Sequence, residues 1–114
     1  MNPPRRRPRS TFLALEHALE TVTLARPFVA RLRRLDRELY TQVQRALTRC
    51  VLALGEGAQR EGGNRQAAYR RARGEANEAL AGVRLATAWG YIEQEDALAD
   101  KLDHLVAILV KLTR

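Results

Sequence analysis

Glu56 lies between Gly55 and Gly57, in the middle of what otherwise reads as one long amphipathic helix. Each interior glycine costs a helix roughly 0.5–1 kcal/mol relative to alanine, so two of them need a reason. Either another element packs closely against the backbone there, or the glycines make room for Glu56. Acid–base catalysis would need a second titrating group beside Glu56, and none lies nearby in sequence. An ion pair needs only an arginine: Arg60 at i+4, or one on the third helix such as Arg73. A binding role for Glu56 stands beside that reading. A di-metal centre would need Glu-x-x-His pairs on two helices and two further inward carboxylates. His17 and His104 do not qualify, because positions 14 and 101 are Ala and Lys. Asp100, at i−4 from His104, reads as its surface partner. The single Cys50 excludes an intramolecular disulfide and a multi-cysteine metal site. No catalytic residue, metal ligand or cofactor is assigned, and the sequence does not read as an enzyme.

Arginine carries the stronger signal. The chain has 20 basic residues against 13 acidic ones, a net charge of +7. Residues 1–73 carry sixteen Arg and six acids (+10), while residues 74–114 carry four basic residues and seven acids (−3). Arg31, Arg33, Arg34 and Arg37, with Arg26, gather at the connection between the first two helices. Arg60, Arg65, Arg70, Arg71 and Arg73 gather at the next connection. Arg45 and Arg49, at i and i+4, could join the two groups along one face. Such patches are the footprint of sequence-independent, salt-dependent phosphate binding. An acidic protein partner would suit the same surface, and a GC-rich genome would give the same arginine bias without selection. Tyr69 is the one aromatic in the second group, so no base-stacking set is evident. Tyr40 is expected near the bundle edge, and Trp89 at the end of the third helix or at an interface.

These residues need a frame. A chain of 114 residues is one domain; 46% of it is hydrophobic, with only two Phe, three Tyr and one Trp. Its apolar mass is Ala, Leu and Val, which suits close-packed helices. Residues 1–9, with three prolines and four arginines, predict a disordered basic arm. Ser10 or Thr11 can cap a first helix with apolar positions Phe12, Leu15, Leu19 and Val22. Pro27 is expected to end or kink it, leaving Phe28–Asp36 as a short helix or a lead-in. From Arg37 a heptad-like seam runs through Leu39, Val43, Ala46, Cys50, Ala53 or Leu54, and Gly57. Glu61-Gly62-Gly63-Asn64 predicts a turn ending in an N-cap Asn. The third seam is Ala68, Ala72, Ala76, Ala79, Val83 and Ala86, closed by Gly90. Its alanines and Gly74, facing Gly55-Glu56-Gly57, predict close backbone approach. Glu93, Glu95 and Asp96 open a fourth helix with Leu98, Leu102, Leu105, Leu109 and Leu112. Its second half, Leu105–Val110, is apolar nearly all round and predicts a further covering surface, a partner subunit. The fold predicted over residues 10–114 is an all-α, antiparallel up-down-up-down four-helix bundle that assembles into oligomers. No apolar run reaches the roughly 20 residues of a membrane span, and Glu16, His17 and Glu20 interrupt any signal-peptide core. A cytoplasmic location is expected.

Several separated motifs have a family look. Leu54-Gly55-Glu56-Gly57, then Arg60, then Ala72-Arg73-Gly74-Glu75-Ala76-Asn77-Glu78, then Leu85-Ala86-Thr87-Ala88-Trp89-Gly90-Tyr91-Ile92 follow in order, with Gln42 and Arg45-Ala46 upstream. This order resembles the four-helix-bundle proteins encoded in 23S rRNA intervening sequences. The family pattern is approximately Asn-Ile-Ala-Glu-Gly, an Arg, Ala-x-Gly-Ser-x-x-Glu, and Leu-x-Leu-Ala-x-x-Leu-Gly-Tyr-Ile. The resemblance covers residues 12–112 and marks Gly55, Glu56, Gly57, Gly74, Glu78, Gly90 and Tyr91 as signature positions. It departs where the family has Pro-Ala-Asn and this chain has Val51-Leu52-Ala53, at Gly74-Glu75 for Gly-Ser, and at Gly55 for Ala. The resemblance implies a homo-oligomer, commonly a homopentamer, with a basic surface for RNA or DNA. The accessory proteins of diversity-generating retroelements are similar in look. They imply a second reading, an adaptor or scaffold docking an acidic partner such as a reverse transcriptase.

Overall fold

The computed structural model describes residues 9–93 and 96–114. Most of the arm expected at residues 1–9 therefore lies outside the described residues, as does Glu95. Four helices follow one another: α1 (Arg9–Leu35), α2 (Arg37–Ala58), α3 (Gly62–Ala88) and α4 (Asp96–Leu112). Each packs on two neighbours, α1 and α3 both lying against α2 and α4, in a body 56 × 23 × 20 Å. Contacts between chain-distant ends make neighbours antiparallel. Gln66 at the start of α3 donates through Nε2 to the Leu112 carbonyl at the end of α4 (3.0 Å), and Tyr91 after α3 donates to Asp36 before α2 (3.0 Å).

The seams of α2 and α3 are buried as the spacing predicts, from Leu39 to Gly57 and from Ala68 to Ala86. That of α1 is displaced. Its buried positions are Ala14, Ala18, Thr21, Ala25, Phe28 and Leu32, whereas Leu15 and Val22 sit at the margin and Leu19 is 43% exposed. The side chain of Phe12 lies outside the described ones. Side-chain size was the misleading signal: α4 projects Leu98, Leu102, Leu105 and Leu109 into the core. The N-terminal half of α1 opposes Leu105 and Leu109 with Ala14 and Ala18. Large against small fills that half of the interior at native density.

Pro27 neither ends nor separates α1, which continues through it to Leu35. The buried spacing of 4, 3, 4, 3 and 4 crosses the proline without a break. Phe28 and Leu32, beyond it, join the cluster that holds Leu98 and Leu102. Burying such side chains contributes about 1.5–3 kcal/mol each, which offsets the roughly 3 kcal/mol cost of an interior proline. Pro27 and Thr23 are both exposed, so the interrupted turn lies on the solvent side of α1.

Helix ends differ from expectation at two places. Helix α1 already includes Ser10 and Thr11, and α3 begins at Gly62, whose φ of +60° only glycine adopts readily; Asn64 lies in its first turn and is not the cap. Gly90 closes α3 as expected. With φ at +79°, its N–H bonds to the Thr87 carbonyl and that of Tyr91 to Ala86, a Schellman motif. The apolar excess of α4 is partly absorbed within the chain, since Val106, Ile108 and Leu112 pack half-buried on the core. Among the described residues no helix is long and apolar enough to cross a membrane.

Candidate nucleic-acid interface

The α1–α2 and α2–α3 connections lie at opposite ends of the bundle, which separates the two arginine groups, with α2 running between them. At the first end Arg31, Arg33, Arg34 and Arg37 are all exposed. Two acids lie at this end, Asp36 and exposed Glu38; Asp36 Oδ1 accepts from the Leu39 backbone N–H (3.0 Å) as the N-cap of α2. Oδ2 accepts from the Tyr91 hydroxyl (3.0 Å), and this bond, aided by burial, raises the Tyr91 phenol pKa and keeps it a donor. Neutral donors thus hold Asp36, and no ion pair ties any of the four arginines among the described residues. Arg33 lies over the Tyr40 ring, 5.8 Å from its centroid.

At the other end, Glu56 is shared. Oε1 takes Arg60 (2.8 Å) and Oε2 takes Arg71 (3.1 Å), so the third-helix partner is Arg71. Arg73, expected there, points to the end of α4 and donates to Thr113 Oγ1 (3.3 Å). Two residues along a helix are some 200° of rotation, a little over half a turn, which puts 71 and 73 on different faces. Glu56 is exposed, so it holds a surface pair and not a buried charge. Arg65 donates from Nε to the Arg60 carbonyl (2.9 Å) just past α2, and Arg70 is exposed. Between the ends, exposed Arg45 and Arg49 share one stripe of α2 with Glu56 and Arg60.

The glycines divide. A Cβ on Gly57 would stand 2.5 Å from Tyr69 Cε1 and 3.2 Å from Ala68 Cβ, so close approach to α3 is real there. Gly55 and Gly74 have open space above them, which overturns the expectation that α2 and α3 are thinned together at those positions. The second close approach is at Gly82, where a Cβ would collide with Val43. Glu78 is exposed beside this surface, and Tyr69 is only 2% exposed, its ring spent on packing. Among the described residues the exposed aromatic is Trp89 at 64%, stacked on Tyr91 at 6.3 Å. The capping role of Asp36 was missed, though an Asp just before the first apolar-periodic residue is its usual signal.

Two further clusters bear on chemistry. His104 stacks on His17 (4.9 Å between centroids) in place of pairing with Asp100. Lys101 reaches His17 Nδ1 at 3.1 Å and Glu20 at 2.5 Å. Burial first, then Lys101 and His104, lower the His17 pKa. The Cys50 thiol is buried and pushed up to about 12 by desolvation and by Glu75, which leaves it an inert core group. Among the described residues no three His, Cys, Asp or Glu side chains gather as a metal site requires. Comparison with known protein families, curated proteins and solved structures finds no match to this chain.

Proposed function

We propose that this protein is a non-enzymatic, cytoplasmic four-helix-bundle protein that assembles with itself and binds nucleic acid through its arginines. The observation that carries the reading is the exposed and largely uncompensated state of those arginines. Arg31, Arg34, Arg37, Arg45, Arg49 and Arg70 are exposed with no acidic partner among the described residues, and Glu56 offsets only one of the two charges it bridges. Guanidinium forks left in water are free to exchange counterions for phosphates. The resemblance to the proteins of 23S rRNA intervening sequences agrees, and favours a homopentamer. Self-association repeats a modest patch around the assembly and raises avidity. The α3 alanine seam is used within the chain, so the contacts between copies are assigned to exposed apolar groups: Leu52 (65%), Leu85 (46%) and Trp89 (64%).

Fluorescence anisotropy with labelled RNA and DNA duplexes tests the reading. Binding is expected at about 50 mM salt, with log K falling linearly against log salt at a slope of roughly −0.9 per phosphate contact. Exchange of Arg45 and Arg49 for Gln should flatten that slope. No affinity, or affinity indifferent to salt, would sink the proposal.

A further inference from the structure

A groove of about 350 Å³ runs between α1 and α2, on the side away from α3 and α4. Its floor is apolar: Val22 and Val29 from α1 and Leu47 from α2, all buried or half-buried. Its rim is cationic. Arg26 and Arg33, seven residues apart on α1, stand about 10 Å from each other along the helix and flank that floor. Arg33 is held at the rim over Tyr40, 5.8 Å from the ring centroid, so its guanidinium is already placed. No carboxylate lines the groove, and neither arginine has an ion-pair partner among the described residues. Gln44 and Thr48, one turn apart on α2, add an amide and a hydroxyl to the opposite wall.

This combination selects a ligand class. A bare phosphate would satisfy the arginines and leave the apolar floor wet. A neutral apolar molecule would cover the floor and leave two cations under its edge. A concave site that is apolar below and of one charge sign at its rim is complementary to a molecule that is both. Its volume suits a small ligand. We infer that the α1/α2 groove is a binding site for a small amphipathic organic anion: a carboxylate, sulfonate or phosphate ester clamped by Arg26 and Arg33, with its apolar body on Val22, Val29 and Leu47. The inference goes beyond the nucleic-acid reading, because it demands an apolar body that a phosphate backbone does not offer.

The probe is 8-anilinonaphthalene-1-sulfonate, an aromatic anion whose emission rises in apolar surroundings, titrated into the intact folded chain. Saturable binding of a single equivalent per chain is expected. Phenyl phosphate should displace it far better than inorganic phosphate does. The double variant Arg26→Gln with Arg33→Gln should weaken binding at least tenfold; both positions are exposed, so circular dichroism and melting should not change. Thr48→Trp keeps both charges and fills the groove, and should abolish binding. Arg45→Gln with Arg49→Gln, on another stripe, should leave it unchanged. The inference is overturned if the uncharged N-phenyl-1-naphthylamine binds as tightly, if the double variant or Thr48→Trp binds as the parent does, or if inorganic phosphate displaces the probe equally well.

Discussion

Glycine and glutamate at adjacent positions do different work at Gly55-Glu56-Gly57. Gly57 is a packing device, pressed on the Tyr69 ring, while Glu56 bridges Arg60 and Arg71 in solvent. Exposed pairs of this kind are worth about 0–1 kcal/mol, so Glu56 contributes little to stability. The glycines offer a sharper comparison, because a methyl group has opposite consequences along one chain. Gly57→Ala should cost about 1–3 kcal/mol through overpacking against Tyr69, despite the gain in helix propensity. Gly57→Leu should cost more and disrupt folding. Gly74→Ala, with nothing within 4 Å of its Cβ, should stabilise α3 by roughly 0.5–1 kcal/mol. Urea unfolding of the three variants checks this; equal effects at positions 57 and 74 would remove the packing account.

Among the elements, α1 carries the most unrealised stability. Pro27 interrupts its hydrogen-bond ladder at an exposed position where nothing packs on the ring from the core. Pro27→Ala restores the bond to the Thr23 carbonyl and should raise stability by up to about 3 kcal/mol, read as a higher melting temperature. The α1–α4 contact should respond to pH. Lys101 donates to His17 Nδ1, which requires that nitrogen to be unprotonated. Burial, Lys101 and His104 hold the folded pKa of His17 below 6.5, against the weaker opposing pull of Glu20. The unfolded chain therefore takes up the proton first as pH falls. The stability that neutral His17 contributes is complete above about pH 6.5 and is lost as pH falls through the lowered folded value. The urea midpoint should drop between about pH 7.5 and pH 5, and His17→Gln should lessen that drop. A parent and variant with the same pH dependence would assign the effect elsewhere.

Across the whole molecule, charge and exposed apolar groups interleave. The arginine groups occupy both ends and a stripe of α2 that Leu52 shares; the other exposed large apolar residues among those described are Leu13, Leu19, Leu24 and Leu35 on α1, Leu85 on α3 and Trp89 at its end. If Leu52, Leu85 and Trp89 make the contacts between copies, Leu52→Glu together with Trp89→Glu should shift the mass measured by light scattering toward the single chain. Helical content should persist, because neither side chain belongs to the core. Unchanged mass would place the contact on another face, and a parent chain that is already monomeric would remove self-association altogether.

The sequence by itself determined the helical class, the number of elements and the seams of α2 and α3. Those seams are sustained heptads, and periodicity survives any detail of packing. It also determined which residues stand in the arginine groups and that Gly90 ends α3, because a left-handed closing residue is a local property of the backbone. Tertiary structure alone decided the rest. Which face of α1 is buried depended on the leucines of α4 opposite it, not on the size of its own side chains. Pro27 was tolerated because Phe28 and Leu32 find a core more than sixty residues away in sequence. Gly57 meets a ring while Gly55 and Gly74 meet nothing, and Glu56 takes Arg71 and not Arg73, because both outcomes follow from the register of α2 on α3. The groove between α1 and α2 has no sequence signature. It arises because two helices joined through one residue bring Arg26 and Arg33 over a floor to which both contribute.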